Sequence, residues 1–409
     1  MEHAAWQERL ERIAFYLTCG SAAAGFVSIA VCQSLLALSV IALLVSGAKL
    51  RFPPIKLPLA VFAALTVISL ALSANPAAGR PQIRKFFVFL ILLTVASLIR
   101  ETRAIRGVVL VWVGVAALSA AFSLLQFWRK FEQARQAGMN FYDYYVPERI
   151  TGFMSHWMTL SGEMMIALLF LAAFLFFSPA PQRYRWVWLG CGALIAASLV
   201  AAFTRSMWIA TAVAGLYLIW SWKRWLVLAV PVLIAVGILV SPVSVRTRAG
   251  SILHPQKNTD SNQHRIVCWR TGWEMIKAHP WFGVGPEHVG LEFQRYIPSD
   301  IPRPLPTGWY GHLHNIYVQY AAERGVPALL ALLWLLGTML FDFLRRLRKL
   351  PPGASDARFL LHGGVAVIVA TMVSGCFEVN LGDSEVLFLF LASMALVYNV
   401  KEREATAAP

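Results

Sequence analysis

Residues 225–243 read WLVLAVPVLIAVGILVSPV, an uncharged run long enough to cross a bilayer, which takes roughly 20 residues per helix. The chain then turns polar over 244–313, with Arg246, Arg248, Lys257, Arg265, Arg270, Lys277, Arg295 and Arg303. That stretch closes on Gly-His-Leu-His-Asn at 311–315, where the next apolar run begins. Long loops on rigid scaffolds collect function, so a membrane chain with one large basic loop is expected to place its chemistry there.

The rest of the sequence agrees with a membrane reading. Its 409 residues are 58% hydrophobic with a mean hydropathy of +0.61, too apolar for a soluble protein of two or three domains. Apolar runs fall at 11–29, 31–48, 57–74, 84–99, 107–128, 156–178, 186–203, 206–222, 225–243, 314–344, 359–377 and 384–400. An all-α polytopic protein of about twelve transmembrane helices follows. It divides into helices one to nine (1–243), a loop containing an amphipathic helix (244–313), and helices ten to twelve with a short tail (314–409). The first run does not read as a cleaved signal peptide, because Trp6-Gln7-Glu8-Arg9-Leu10-Glu11-Arg12 precedes it and no clean small-residue cleavage site follows.

Basic residues in the short connections set the orientation. Arg9 and Arg12, Lys49/Arg51/Lys56, Arg100/Arg103/Arg106, Arg183/Arg185, Lys223/Arg224, Arg345/Arg346/Arg348/Lys349 with Arg358, and Lys401/Arg403 all fall on one side. The positive-inside rule makes that side cytoplasmic, with both termini. Longer loops escape the rule, so their basic residues on the other face need another reason, and an anionic ligand is the simplest. The five cysteines show no metal or disulfide spacing and read as small core residues.

On the outer face, Arg205 lies in Phe-Thr-Arg-Ser-Met-Trp, a connection so tight that its guanidinium must stay at the bundle mouth; Ser206 is a candidate cap for the helix that follows. Arg149 sits in Pro-Glu-Arg-Ile-Thr-Gly, and Asp383 either orients another site group or caps the last helix. Residues 264–278 have helical periodicity, with Ile266, Trp269, Trp273 and Ile276 on one face suited to a membrane surface and Arg265 at the start. His312 and His314 form a His-x-His pair with no third ligand at motif spacing and many positive charges nearby, which disfavours a metal. His314 suits a general base better.

His314-Asn315, nine residues, then Gly325-Val326-Pro327-Ala328 resembles a motif of bacterial O-antigen ligases. Thr204-Arg205-Ser206 is similar to that family's first arginine segment. Arg265, with Trp269 and His279-Pro280-Trp281-Phe282-Gly283-Val284-Gly285, resembles its second. Ala328 departs from the family's frequent glycine.

The resemblance implies a GT-C-like glycosyltransferase at the periplasmic face of the bacterial inner membrane. Such an enzyme joins O-antigen from undecaprenyl diphosphate to the lipid A core, with no nucleotide sugar, metal or other cofactor. Its partners would be those two lipid-linked glycans and membrane lipids, not nucleic acid. It further implies that Arg205 and Arg265 bind the donor diphosphate and His314 activates the acceptor hydroxyl; Asn315, Asp383, Arg149 and His312 are candidate supporting residues read from their positions. O-antigen polymerases and protein oligosaccharyltransferases are the near alternatives. A lipid-sugar transporter would need charge through the bundle, where Glu163 is the main mid-helix example.

Overall fold

The computed structural model describes residues 2–179, 184–253 and 262–401; Arg183, Lys257 and Arg403 lie outside the described residues. Among those residues the chain is helical with no strands. Helices α1 (Glu2–Ala24), α2 (Ile29–Val45) and α3 (Lys56–Leu72) lead to α4 (Arg80–Arg84), which runs through a 3-10 turn into α5 (Leu90–Leu98). Then come α6 (Thr102–Gln136), α7 (Phe141–Tyr145), α8 (Trp157–Phe177), α9 (Arg185–Ala201), α10 (Arg205–Lys223), α11 (Val230–Val240) and α12 (Val243–Gly250). The remainder is α13 (Asn262–Ala278), α14 (Val289–Glu292), α15 (Ile316–Arg324), α16 (Val326–Lys349), α17 (Asp356–Gly375) and α18 (Ser384–Tyr398).

Six helical stretches among the described residues are long and apolar enough to cross a membrane: Arg80–Leu98, Thr102–Gln136, Trp157–Phe177, Arg205–Val240, Val326–Lys349 and Asp356–Gly375. Four shorter apolar helices, α2, α3, α9 and α18, accompany them. The run expected at 314–344 is two helices. Gly325 takes a φ of +84°, and Pro327 at the start of α16 has no N–H for a helical hydrogen bond, so α15 ends at Arg324.

Burial is greatest at the centre. Helix α17 packs against α8, α10 and α16, and its glycines let neighbours close in: a Cβ on Gly363 would lie 2.5 Å from the Phe170 ring. A second, smaller core forms at one end of the bundle, where Val267, Cys268 and Met275 of α13 meet Phe293, Leu313, Ala321 and Ala322. The polar stretch is thus a packed layer resting on α15, not a loose loop. Its α13 turns His264, Val267, Cys268, Thr271, Gly272, Met275 and Ile276 inward. Ile266 and Trp273 are exposed, so Ile276 does not share their face as the periodicity suggested.

Candidate active site

The turn from α9 to α10 is the tightest connection in the site. Phe203 bridges it with a φ of +52°, a left-handed conformation that side chains with a Cβ rarely adopt. Its carbonyl accepts hydrogen bonds from Arg248 Nε at 2.9 Å and Arg149 Nη1 at 3.3 Å. Arg205 follows as the first residue of α10 and is buried. It donates through Nη1 to Ser251 O at 2.6 Å and Ser251 Oγ at 3.0 Å, and through Nη2 to Asn262 Oδ1 at 2.8 Å. Ser206 does not cap the helix: Thr204 holds the cap position without a side-chain capping bond, and the buried Ser206 hydroxyl has no hydrogen-bond partner among the described residues.

Arg205 and Arg265 line a single groove of about 690 Å³ with Asn262 and Ser206. Ile209, Ile252, Ile266, Trp269 and Phe377 complete it, so two cations stand in a largely apolar channel.

Glu378, just beyond α17, joins Arg265 to His314. Arg265 Nη2 donates to Glu378 Oε1, and His314 Nδ1 lies 3.3 Å from Glu378 Oε2. Burial would raise the Glu378 carboxyl, but the Arg265 charge and the His314 hydrogen bond outweigh it and hold it below the ordinary range. Glu378 escaped the sequence reading, which turned to Asp383 as the carboxylate. Asp383 instead accepts from Thr159 Oγ1 at 3.0 Å and stands at the cap position of α18 without a side-chain capping bond. Burial pushes its carboxyl up to about 6.

His314 adopts a φ of +49° in the turn before α15. Neighbouring contacts fix that turn: Gln319 Oε1 accepts from Leu313 N at 2.7 Å, and Asn315 Oδ1 accepts from Tyr317 N at 3.0 Å and Val318 N at 3.1 Å. Asn315 also donates through Nδ2 to Cys376 O at 3.0 Å, tying the cap of α15 to the end of α17. The His314 ring stands between His312 (centroids 4.1 Å apart) and His264 (5.1 Å). Burial, then the neighbouring His314, lowers His312 to about 3 and His264 to about 4, so both are neutral near pH 7. Among the described residues, no group of three or more His, Cys, Asp or Glu could hold a metal ion.

Arg149 lies 4.2 Å above the Trp157 ring, beside His156, whose Nδ1 accepts from Met158 N at 3.2 Å to cap α8. Burial first, and then repulsion from Arg248, lowers Arg149 to about 9.

The glycines of 279–285 have a structural use. Val284 N donates to Ala322 O and Gly285 N to Glu323 O, both at 2.9 Å, while Val326 N donates to Pro280 O at 2.8 Å. Gly283, at φ +66°, has room for no side chain: a Cβ there would be 2.2 Å from the Glu323 carbonyl carbon. The segment therefore clamps the C-terminal end of α15 and holds the helix that His314 precedes.

Residues 191–333 match the family model described as O-Antigen ligase. That segment is therefore similar to the O-antigen ligase family. No curated protein matches the chain. The matched segment contains Arg205, Arg265, His314 and Gly325, whereas Arg149, Glu378 and Asp383 lie outside it.

Proposed function

We propose that this protein transfers an O-antigen glycan from undecaprenyl diphosphate to the sugar core of lipid A at the periplasmic face of the inner membrane. The observation that supports it most is the groove shared by Arg205 and Arg265, together with the Glu378 carboxylate that joins Arg265 to His314. An apolar channel ending in two guanidinium groups suits an isoprenoid chain ending in a diphosphate. Negative charge grows on that diphosphate as its bond to the sugar breaks, and fixed cations lower the barrier at that moment.

In this reading Glu378 accepts a hydrogen bond from His314 Nδ1–H, which leaves the unprotonated Nε2 free to take the proton of the acceptor hydroxyl. The hydroxyl oxygen bonds to the anomeric carbon as the carbon–oxygen bond to the diphosphate breaks. The lipid diphosphate departs with that electron pair, and attack from the opposite side inverts configuration. The arginines supply the charge that a divalent cation supplies in other transferases, so the reaction proceeds without metal.

The test is transfer by purified protein from lipid-linked donor to lipid A core in excess chelator. Arg205→Ala and Arg265→Ala should each lower kcat by roughly 100- to 1,000-fold. Normal turnover in either, in folded protein, rejects the assignment; lengthened donor glycan without transfer to lipid A core favours a polymerase.

A further inference from the structure

A second opening meets the site from a different wall. Its lining includes Gln126, Arg129, Lys130, Gln133, Arg149 and Trp157, around about 950 Å³. It shares no residue with the Arg205–Arg265 groove and differs in character: that groove is mostly isoleucine and aromatic, whereas this basin is mostly polar.

The basin is built, not incidental. Helix α6 has 35 residues, about 50 Å at 1.5 Å per residue, against a hydrocarbon core of about 30 Å, so it is long enough for one end to project beyond the bilayer. Arg129, Lys130 and Gln133 lie in its last three turns. The facing loop is held by Gln126, which accepts from Thr151 N at 3.2 Å and Gly152 N at 2.9 Å and donates to Gly152 O at 2.9 Å. Lys130 pairs with the exposed Glu148 at 3.3 Å. Arg129 is exposed and makes no hydrogen bond or ion pair among the described residues. Three cations, Arg129, Lys130 and Arg149, thus exceed the one carboxylate, Glu148, lining the basin.

Arg149 links this basin to the candidate site, since it lines the basin, bonds the Phe203 carbonyl in the turn before Arg205, and its charge interacts with those of Glu378 and Arg265. A polar, cationic basin whose Arg149 interacts with Glu378, separate from the apolar groove, suits a hydroxyl-rich glycan carrying phosphate or carboxylate groups. We propose that the basin of Arg129, Lys130, Gln133 and Arg149 binds the anionic sugar portion of the acceptor and delivers its hydroxyl to His314. This rests on the ligase reading above, because it assigns the second substrate of the same site.

The experiment measures binding of lipid A core, with its phosphates intact or removed by phosphatase, to detergent-solubilised wild type and R129E/K130Q. Intact acceptor should bind the variant about tenfold more weakly, while phosphatase-treated acceptor binds both proteins alike. Binding of the lipid-linked donor should be unchanged, which also shows that the variant is folded. Equal binding of intact acceptor by both proteins overturns the proposal, as does a loss that donor and acceptor share. Should the double variant fail to insert, R129Q alone carries the same comparison, with about a threefold loss expected. Binding is read without turnover, so an inactive wild type would count against the ligase reading while this comparison still decides the basin.

Discussion

His314 Nδ1 lies 3.3 Å from Glu378 Oε2, although one residue precedes α15, the other follows α17, and they stand 64 positions apart. A carboxylate against Nδ1 fixes which imidazole nitrogen carries the proton and which way the ring points. Because the other Glu378 oxygen accepts from Arg265, a single side chain aligns both the His314 imidazole and one of the guanidinium groups.

Glu378→Gln should therefore lower kcat by about 100-fold with little change in donor KM, as loss of a supporting carboxylate does elsewhere. Glu378→Asp should recover part of the rate. A proportionate rise in KM with kcat intact would remove Glu378 from this role.

The pH dependence of anion binding should have an alkaline limb. Arg149 is lowered to about 9 from an ordinary 12.5, so it loses its charge as pH rises through about 9. Below that pH its buried charge costs stability; above it the cost fades, and so does its attraction for an anion. Affinity for intact lipid A core should fall between pH 8 and 10, by no more than about tenfold per pH unit. Arg149→Gln should flatten that limb, and a limb unchanged in this variant points to another group.

Gly283→Ala and Gly325→Ala should destabilise the fold by about 2–4 kcal/mol, because both sites need a positive φ and neither has room for a methyl group. A Cβ on Gly325 would lie 2.0 Å from Trp281 O. Gly215→Ala, in α10 with nothing within 4 Å, should instead gain about 0.5–1 kcal/mol. Thermal unfolding in detergent compares the three, and equal melting temperatures would contradict the clamp described for α15.

Asn315→Ala should cost about 1 kcal/mol of stability, the usual penalty for losing a side-chain helix cap. Asn315→Asp keeps the cap and loses only the Nδ2 bond to Cys376 O, so it should melt close to the wild type. If the two variants melt alike, the bond to α17 matters more than the cap.

Arg205, Arg265 and His314 were legible because each sits in a short sequence pattern, and the long apolar runs made the membrane helices legible too. Glu378 had no such pattern, since nothing in its spacing ties it to residues 265 or 314. Its one signal was a carboxylate just past an almost uncharged helix, where burial demands a partner. Asp383 carried the same signal five residues later, and only folding decides which of the two reaches the imidazole. The helix break was not read from the apolar run over 314–344, although Gly325 stood out as a motif glycine. That it meets the Trp281 carbonyl depends on a contact made across the fold, which local periodicity does not encode.

Helix α17, which ends just before Glu378, is among the most enclosed in the bundle, whereas Arg129 and Ile266 lie on exposed surfaces. On the proposed reading, alignment of His314 and Arg265 through Glu378 is thereby anchored next to one of the most enclosed helices, and recognition is left to exposed segments that can vary without disturbing it. Exchanging the outer end of α6 between relatives should change which glycan is accepted while leaving intact the machinery that activates it.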